Sequence, residues 1–136
     1  MTRRRIGRSL KPFRRPLLWS GLWCLGVALV VATSLMPVAD LGQLPSGTDK
    51  IEHFLAYAFL AAGAVQLYPR WRSLLSVGIA LVLMGIGLEY AQGALTTDRM
   101  MDGMDALANT LGVIVGFGTQ LTPWRDLLLR FDNRAG

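Results

Sequence analysis

The sequence predicts an all-α membrane protein, built as a bundle of four transmembrane helices with both termini in the cytoplasm. Apolar residues make up 52% of its 136 residues, and its mean hydropathy is +0.39. A soluble domain has roughly 45–50% apolar residues even with glycine included. Four apolar runs have about the length of a membrane span, and most Lys and Arg residues lie outside those runs. The chain is long enough for one domain of this kind.

The first apolar run follows a basic cytoplasmic head at residues 1–16, which contains no acidic residue. Residues 17–36 carry no charge, and a helix needs about 20 residues to cross the hydrocarbon core. A cleavable signal peptide also begins with a basic and then an apolar stretch. The run is longer than the roughly 7–15 residues of a signal sequence's apolar region, so we expect it to be retained as an anchor. Cys24, the single cysteine, lies in this run and has no intramolecular disulfide partner.

Three further spans complete the predicted transmembrane domain at residues 17–121. They run from Lys50 to Tyr68, from Ser73 to Tyr90 and from Met104 to Leu121. Loops rich in glycine and short polar residues separate them at residues 37–49 and 93–103. Candidate N-caps for the second span are Ser46, Thr48 and Asp49.

The distribution of basic residues predicts the orientation. With both termini and the turn at residues 68–72 inside, the inside holds 12 of the 14 Lys and Arg residues and the outside holds only Lys50 and Arg99. Cytoplasmic loops of membrane proteins carry such an excess. The net charge of +5 therefore indicates contact with anionic lipid rather than with nucleic acid. We expect a multi-pass protein of the bacterial cytoplasmic (inner) membrane, with residues 122–136 forming a basic amphipathic tail on the cytoplasmic surface.

Polar side chains at the outer ends of three spans are predicted to lie at similar depth. The second span contributes Asp49, Lys50, His53 and Tyr57, the third Glu89 and Gln92, and the fourth Arg99, Asp102, Asp105 and Asn109. The last three residues are spaced by three and four, so they share one helix face. Gly112 and Gly116 continue that face, where a neighbouring helix can approach closely.

These residue types support two kinds of chemistry. His53, Glu89 and Asp105 are the candidate catalytic residues, because such groups act as general acids, general bases or ligands of hard metal ions. The sequence leaves open whether a metal binds and names no cofactor. Lys50 and Arg99, together with two helix N-termini, favour an anion. The candidate ligand-binding residues are Lys50, Arg99, Asp102, Asn109, Tyr57, Gln92 and Asp49.

Structural alternatives exist for most of these residues. Asp102 could serve only as a helix cap, and Lys50 and Arg99 could serve only in ion pairs. His53 could make a structural hydrogen bond to a carboxylate, and Tyr57 and Gln92 are typical interhelical hydrogen-bond partners. A functional role is favoured for Glu89 and Asp105, because carboxylates within membrane spans are costly.

Three motifs on successive apolar segments resemble the VanZ-like family of small bacterial membrane proteins. They are Asp49-Lys50-x-x-His53-Phe54-x-x-Tyr57, Glu89-x-x-Gln92, and Arg99-x-x-Asp102-x-x-Asp105-x-x-x-Asn109-x-x-Gly112-x-x-x-Gly116. The resemblance covers residues 49–118, about half of the chain. It implies a multi-helix protein of the cytoplasmic membrane. The member that gives the family its name is associated with low-level resistance to the glycopeptide teicoplanin.

Three functions are compatible with the sequence. The first is binding or modification of an anionic envelope lipid or peptidoglycan-precursor headgroup. The second is a structural or assembly subunit in which the polar groups tie helices together. The third is ion or proton-coupled transport, which requires polar groups in the inner halves of the spans, where mainly Ala, Gly, Leu and Val occur. Catalysis and the oligomeric state are left open.

Overall fold

The described part of the chain folds entirely into helices and turns. A computed structural model describes residues 9–36, 45, 47–95 and 101–135. Its α-helices are α1 (Pro16–Ser34), α2 (Thr48–Leu67), α3 (Trp71–Leu95), α4 (Gly103–Gly118) and α5 (Leu127–Arg134), with 3₁₀ turns at Thr119–Leu121 and Pro123–Asp126. The predicted all-α class is confirmed. Arg99, the candidate cap Ser46 and most of the first predicted loop lie outside the described residues.

The helix ends differ from the prediction at two places. α3 continues past the predicted end at Tyr90 to Leu95, so the beginning of the predicted loop at residues 93–103 is helical. α2 is preceded by Gly47 in a left-handed conformation with φ of 84°, and no side chain caps this helix. Gly47 takes the position before the helix, because glycine adopts a left-handed conformation without the steric cost that a Cβ imposes. The expected caps Thr48 and Asp49 therefore lie inside the helix.

Two described helices, α1 and α3, are long and apolar enough to span a membrane. A soluble core helix and an N-terminal signal sequence pass the same test of length and composition. Here, only 6% of the apolar window of α1 and 28% of that of α3 are buried inside the protein. Most of their apolar surface is therefore left uncovered by the rest of the chain.

The closest helix packing in the bundle is between α2 and α4. A Cβ at Gly112 would collide with the backbone carbonyl of Phe54, and a Cβ at Gly116 would collide with that of Ala58. The predicted packing role of both glycines is confirmed. Beside this contact lies the main apolar core, which contains Tyr57, Leu60, Ala61, Leu81 and Val113.

The segment before α1, the first turn of α1 and the residues after α4 meet at one end of the bundle. We call this polar arrangement the head–tail clasp, and it is formed by Lys11, Trp19, Asp126 and Asp132. The Nζ atom of Lys11 donates to the carbonyl of Val65 at 2.8 Å and lies 2.9 Å from a carboxylate oxygen of Asp126. Asp132 is fully buried and accepts a hydrogen bond from Nε1 of Trp19 at 2.9 Å. The tail helix α5 is thus fastened to the head.

Charge interactions in the clasp shift two carboxyl pKa values. The hydrogen bond from Lys11 lowers the pKa of Asp126. Desolvation raises the pKa of Asp132, but hydrogen bonds from Trp19 and from the backbone N–H groups of Arg14 and Arg15 outweigh it and leave that pKa below its ordinary value. Both carboxylates are therefore stabilised in the ionised form by the folded state.

We expect Asp132→Ala to lower the midpoint of thermal unfolding by roughly 5–10 °C, because the variant leaves the partly buried N–H donors of Trp19, Arg14 and Arg15 without their acceptor. The measurement is thermal unfolding in detergent, with the exposed Glu52→Ala as the control. Because the pKa of Asp132 is lowered on folding, the difference from wild type should be full at neutral pH and should shrink as the pH falls below about 4. Equal midpoints for wild type and Asp132→Ala at neutral pH would contradict this role.

Candidate functional site

Polar residues of three helices meet at the end of the bundle opposite the head–tail clasp. The first turns of α2 and α4 and the last turns of α3 contribute them. We call this group the polar end cluster, and its members are Lys50, His53, Glu89, Asp102, Asp105 and Asn109. All six are among the residues that the sequence singled out.

The centre of the cluster contains His53, Glu89 and Asp105. One potential ligand atom from each residue lies within 4.8 Å of those of the other two. Glu89 is 2% exposed and Asp105 is 7% exposed, and His53 is half-buried. Each comes from a different helix, so the structure brings together three side chains that the sequence predicted to lie near one another.

Lys50 forms ion pairs with the carboxylates around it. Its Nζ atom lies 3.0 Å from Asp102, 3.4 Å from Asp105 and 3.6 Å from Asp49. The ion-pair alternative for Lys50 is therefore observed. The side chain remains 38% exposed, so the ammonium group is also accessible from outside the cluster.

Asp102 has two structural roles at the start of α4. Its Oδ1 atom accepts a hydrogen bond from the backbone N–H of Met104 at 2.9 Å, as an N-cap does. Its own backbone N–H donates to Oε2 of Glu89 at 3.1 Å. The hydrogen bond from Met104 and the one from Lys50 lower the pKa of Asp102. The capping prediction is confirmed, and the cap also connects α4 to α3.

His53 is oriented by Asn109. The Nδ1 atom of His53 lies 3.1 Å from Oδ1 of Asn109. Because an amide oxygen only accepts hydrogen bonds, Nδ1 is the donor. The other ring nitrogen, Nε2, faces Oδ2 of Asp105 at 3.8 Å, which is beyond hydrogen-bonding distance. The expected carboxylate neighbour of His53 is present, and the direct hydrogen bond goes to Asn109.

The remaining predicted residues lie around this centre. Tyr57 is buried in the apolar core next to Gly85. Gln92 is buried and donates from Nε2 to the carbonyl of Ser34 at 2.7 Å, which ties α3 to the end of α1. Gln92 thus makes an interhelical hydrogen bond, as the structural alternative for this residue predicted. Asp49 is mostly exposed and contacts the cluster through Lys50.

Within the described part of the chain, two buried carboxylate oxygens of the cluster have no hydrogen-bond partner: Oε1 of Glu89 and Oδ1 of Asp105. The second lies 3.4 Å from the ammonium of Lys50, which partly compensates its charge. The oxygen of Glu89 has no such neighbour among the described residues. A buried polar atom without a partner is uncommon and costly, and it is typical of functional sites. Among the described residues, the cluster has more carboxylates than cationic groups.

Sequence reasoning did not reveal the contacts of Gly85, and it missed the head–tail clasp. Gly85 lies four residues before Glu89, which puts both on one side of α3, but this spacing does not show what the glycine touches. A Cβ at Gly85 would lie 2.9 Å from Nδ2 of Asn109 and 3.3 Å from the hydroxyl of Tyr57. Lys11 and Asp132 carry no such signal, because the groups they bind are at least 54 residues away.

No family model, curated protein or solved structure matches the chain in comparisons with known proteins. The resemblance to the VanZ-like family therefore stays a prediction based on the three motifs.

We expect Gly85→Ala to lower the free energy of unfolding by about 1–3 kcal/mol, because the added methyl group displaces Asn109. The matched control is Gly87→Ala, since a Cβ at Gly87 meets nothing within 4 Å. That control should be stabilised by about 0.5–1 kcal/mol. Denaturant unfolding in detergent measures both variants.

The same pair of variants reports on His53, the single histidine of the chain. Gly85→Ala should shift its imidazole NMR signals by altering the Asn109 hydrogen bond, and Gly87→Ala should leave them in place. Identical imidazole signals in wild type and Gly85→Ala would show that Asn109 does not orient His53.

Proposed function

We propose that this protein is an integral membrane protein of the VanZ-like type whose polar end cluster binds or modifies an anionic headgroup. The headgroup belongs to a cell-envelope lipid or a peptidoglycan precursor at the outer face of the bacterial cytoplasmic membrane. The observation that carries the proposal is the convergence of His53, Glu89 and Asp105 from three helices, with one oxygen of Glu89 left without a partner.

The exposed side chains support a four-span arrangement with membrane around the bundle. Large apolar side chains point outward from each of the first four helices, including Leu25 of α1, Phe59 of α2, Leu83 of α3 and Ile114 of α4. Monomeric soluble proteins rarely expose apolar surface on this scale. α2 has 20 residues, which corresponds to about 30 Å, the thickness of a hydrocarbon core.

The charge distribution supports cytoplasmic termini. The head–tail clasp holds the beginning and the end of the described chain at one end of the bundle. The turn between α2 and α3 contains Arg70 and is at this end too, as is Arg72 in the first turn of α3. At the opposite end Lys50 is the one described basic residue. A bundle with this distribution inserts with the clasp on the cytoplasmic side.

The cluster offers an anionic headgroup both attraction and reactive groups. Lys50 is partly exposed, and the N-termini of α2 and α4 place partial positive charge at this end. His53 and the buried carboxylates supply groups that can take or give a proton. A headgroup in the interfacial layer would meet them without leaving the membrane. A link to glycopeptide resistance follows from the family resemblance.

A structural role is the second candidate, and specific contacts favour it. Lys50 joins α2 to Asp102 and Asp105 on the α4 side, Asp102 joins that helix to Glu89, and Gln92 joins α3 to α1. In this alternative the protein is a structural or assembly subunit and the polar groups are interhelical ties.

Topology is tested by single-cysteine labelling in a Cys24→Ser background. We expect Leu95→Cys to react with a membrane-impermeant maleimide in intact spheroplasts. Arg70→Cys and Asn133→Cys should react only after lysis, because four spans place the turn and the tail inside. All three positions are exposed. Labelling of Arg70→Cys in intact spheroplasts would exclude the proposed orientation.

Function is tested by His53→Ala, Glu89→Ala and Asp105→Ala in cells exposed to teicoplanin. We expect the wild-type protein to raise the inhibitory concentration and each variant to lose that effect, with normal amounts of inserted protein. Glu52→Ala, an exposed acid one residue before His53, should behave as wild type. The structural alternative predicts instead that the three variants lower the amount and thermal stability of the protein in detergent. Full protection by all three variants would reject the role of the cluster.

A further inference from the structure

Glu89 has a buried carboxylate oxygen that the described residues leave unpaired. The residue is 2% exposed, its Oε2 atom accepts the backbone N–H of Asp102, and its Oε1 atom has no hydrogen-bond partner among the described residues. A buried carboxylate oxygen in this position carries a proton, binds an ordered water or faces a cation. His53 and Asp105 each offer a potential ligand atom within 4.8 Å of one from Glu89.

The orientation of His53 favours a cation. With Nδ1 donating to Asn109, Nε2 is the ring nitrogen that remains to bind a ligand. It lies 3.8 Å from Oδ2 of Asp105, too far for a hydrogen bond but a separation at which one cation can contact both atoms. Histidine ligands of metal ions are oriented in this way, by a hydrogen bond from the ring nitrogen that does not bind the metal.

The charges of the cluster favour a divalent ion. Lys50 lies closest to Asp102, at 3.0 Å, and contacts Asp105 through Oδ1 at 3.4 Å. Oδ2 of Asp105 lies 3.8 Å from Nε2 of His53, and Oε1 of Glu89 has no hydrogen-bond partner among the described residues. One doubly charged ion would balance these two carboxylates.

We propose that His53, Glu89 and Asp105 form a binding site for a divalent transition-metal cation of the Zn²⁺ or Mn²⁺ class. Nε2 of the histidine and one oxygen from each carboxylate are the ligands. A mixed set of one imidazole and two carboxylates suits these ions better than Mg²⁺ or Ca²⁺, which bind oxygen alone. Three protein ligands leave a coordination position open, as in catalytic rather than structural zinc sites.

The observed spacing is close to that of a metal site. Ligand atoms about 2.0–2.2 Å from a tetrahedral zinc ion lie roughly 3.3–3.6 Å apart. The separation of 3.8 Å between His53 and Asp105 nearly meets this value. All three ligand atoms lie within 4.8 Å of one another, so closure requires a side-chain shift of no more than about 1 Å.

A bound cation would also offset the repulsion between the carboxylates of the cluster and an anionic headgroup. The described carboxylates repel an anionic headgroup, and Lys50 is already engaged by three of them. A divalent ion with an open position would let a phosphate or carboxylate oxygen bind directly beside Glu89 and Asp105. The cation site depends only on the contacts of these residues and does not depend on the headgroup proposal.

The test uses the full-length protein in detergent, treated with a chelator and titrated with ZnCl₂ or MnCl₂ by calorimetry in the absence of lipid. We expect saturable binding of one ion per chain. Glu89→Gln and His53→Gln should weaken it by at least 10-fold, and Asn109→Leu by about 10–100-fold, as for residues that orient a metal ligand. Glu52→Gln is the matched control and should bind as wild type.

Several results would overturn the site. They are no saturable binding of either metal by the wild type, equal affinity of wild type and Glu89→Gln, or binding of Mg²⁺ and Ca²⁺ with neither transition metal. Should Glu89→Gln fail to fold, the imidazole NMR signals of the wild type decide: Zn²⁺ must shift Nε2 of the single histidine, and unchanged signals reject the site. Metal binding without an effect on teicoplanin resistance would reject the headgroup proposal alone.

Discussion

The packing of α2 against α4 is the contact on which the rest of the structure depends. Gly112 lies against the backbone of Phe54, and Gly116 lies one turn further along against that of Ala58. This double contact fixes the register of the two helices, and a side chain at either glycine would push them apart. One turn toward the polar end, the same register brings His53 beside Asp105 and Asn109. The geometry of the polar end cluster is therefore a consequence of backbone contacts made deeper in the bundle.

The two ends of the bundle are chemically different. In the head–tail clasp, the buried Asp132 accepts a hydrogen bond from Trp19, and the partly exposed Asp126 pairs with Lys11. At the polar end cluster, one oxygen of the buried Glu89 has no hydrogen-bond partner among the described residues, and Lys50 is shared among three carboxylates. A satisfied network stabilises a fold, whereas a partly satisfied one retains stored electrostatic energy that a ligand can release. This difference is why we assign binding to the cluster and a structural role to the clasp.

The sequence predicted the helices and most of the cluster, because apolar runs and spacings of three and four are local properties of the chain. It ended α3 too early, since Gln92 and Gly93 resemble loop residues until the contact of Gln92 with Ser34 is known. It also left open whether Lys50 is free or paired, which depends on side-chain conformations of another helix. The clasp could not be predicted from the sequence for another reason. Trp19 and Asp132 are 113 residues apart, and neither segment contains a pattern that indicates contact with the other.

The central claim is that His53 and Asp105, on different helices, act as one cluster. A double-mutant cycle of His53→Ala and Asp105→Ala, measured by denaturant unfolding in detergent, tests it directly. Residues in contact show coupling energies of about 0.5–3 kcal/mol, whereas distant residues are additive within about 0.5 kcal/mol. The account predicts coupling for this pair and additivity for His53→Ala combined with Asp132→Ala at the opposite end. Additive effects of His53→Ala and Asp105→Ala would contradict it.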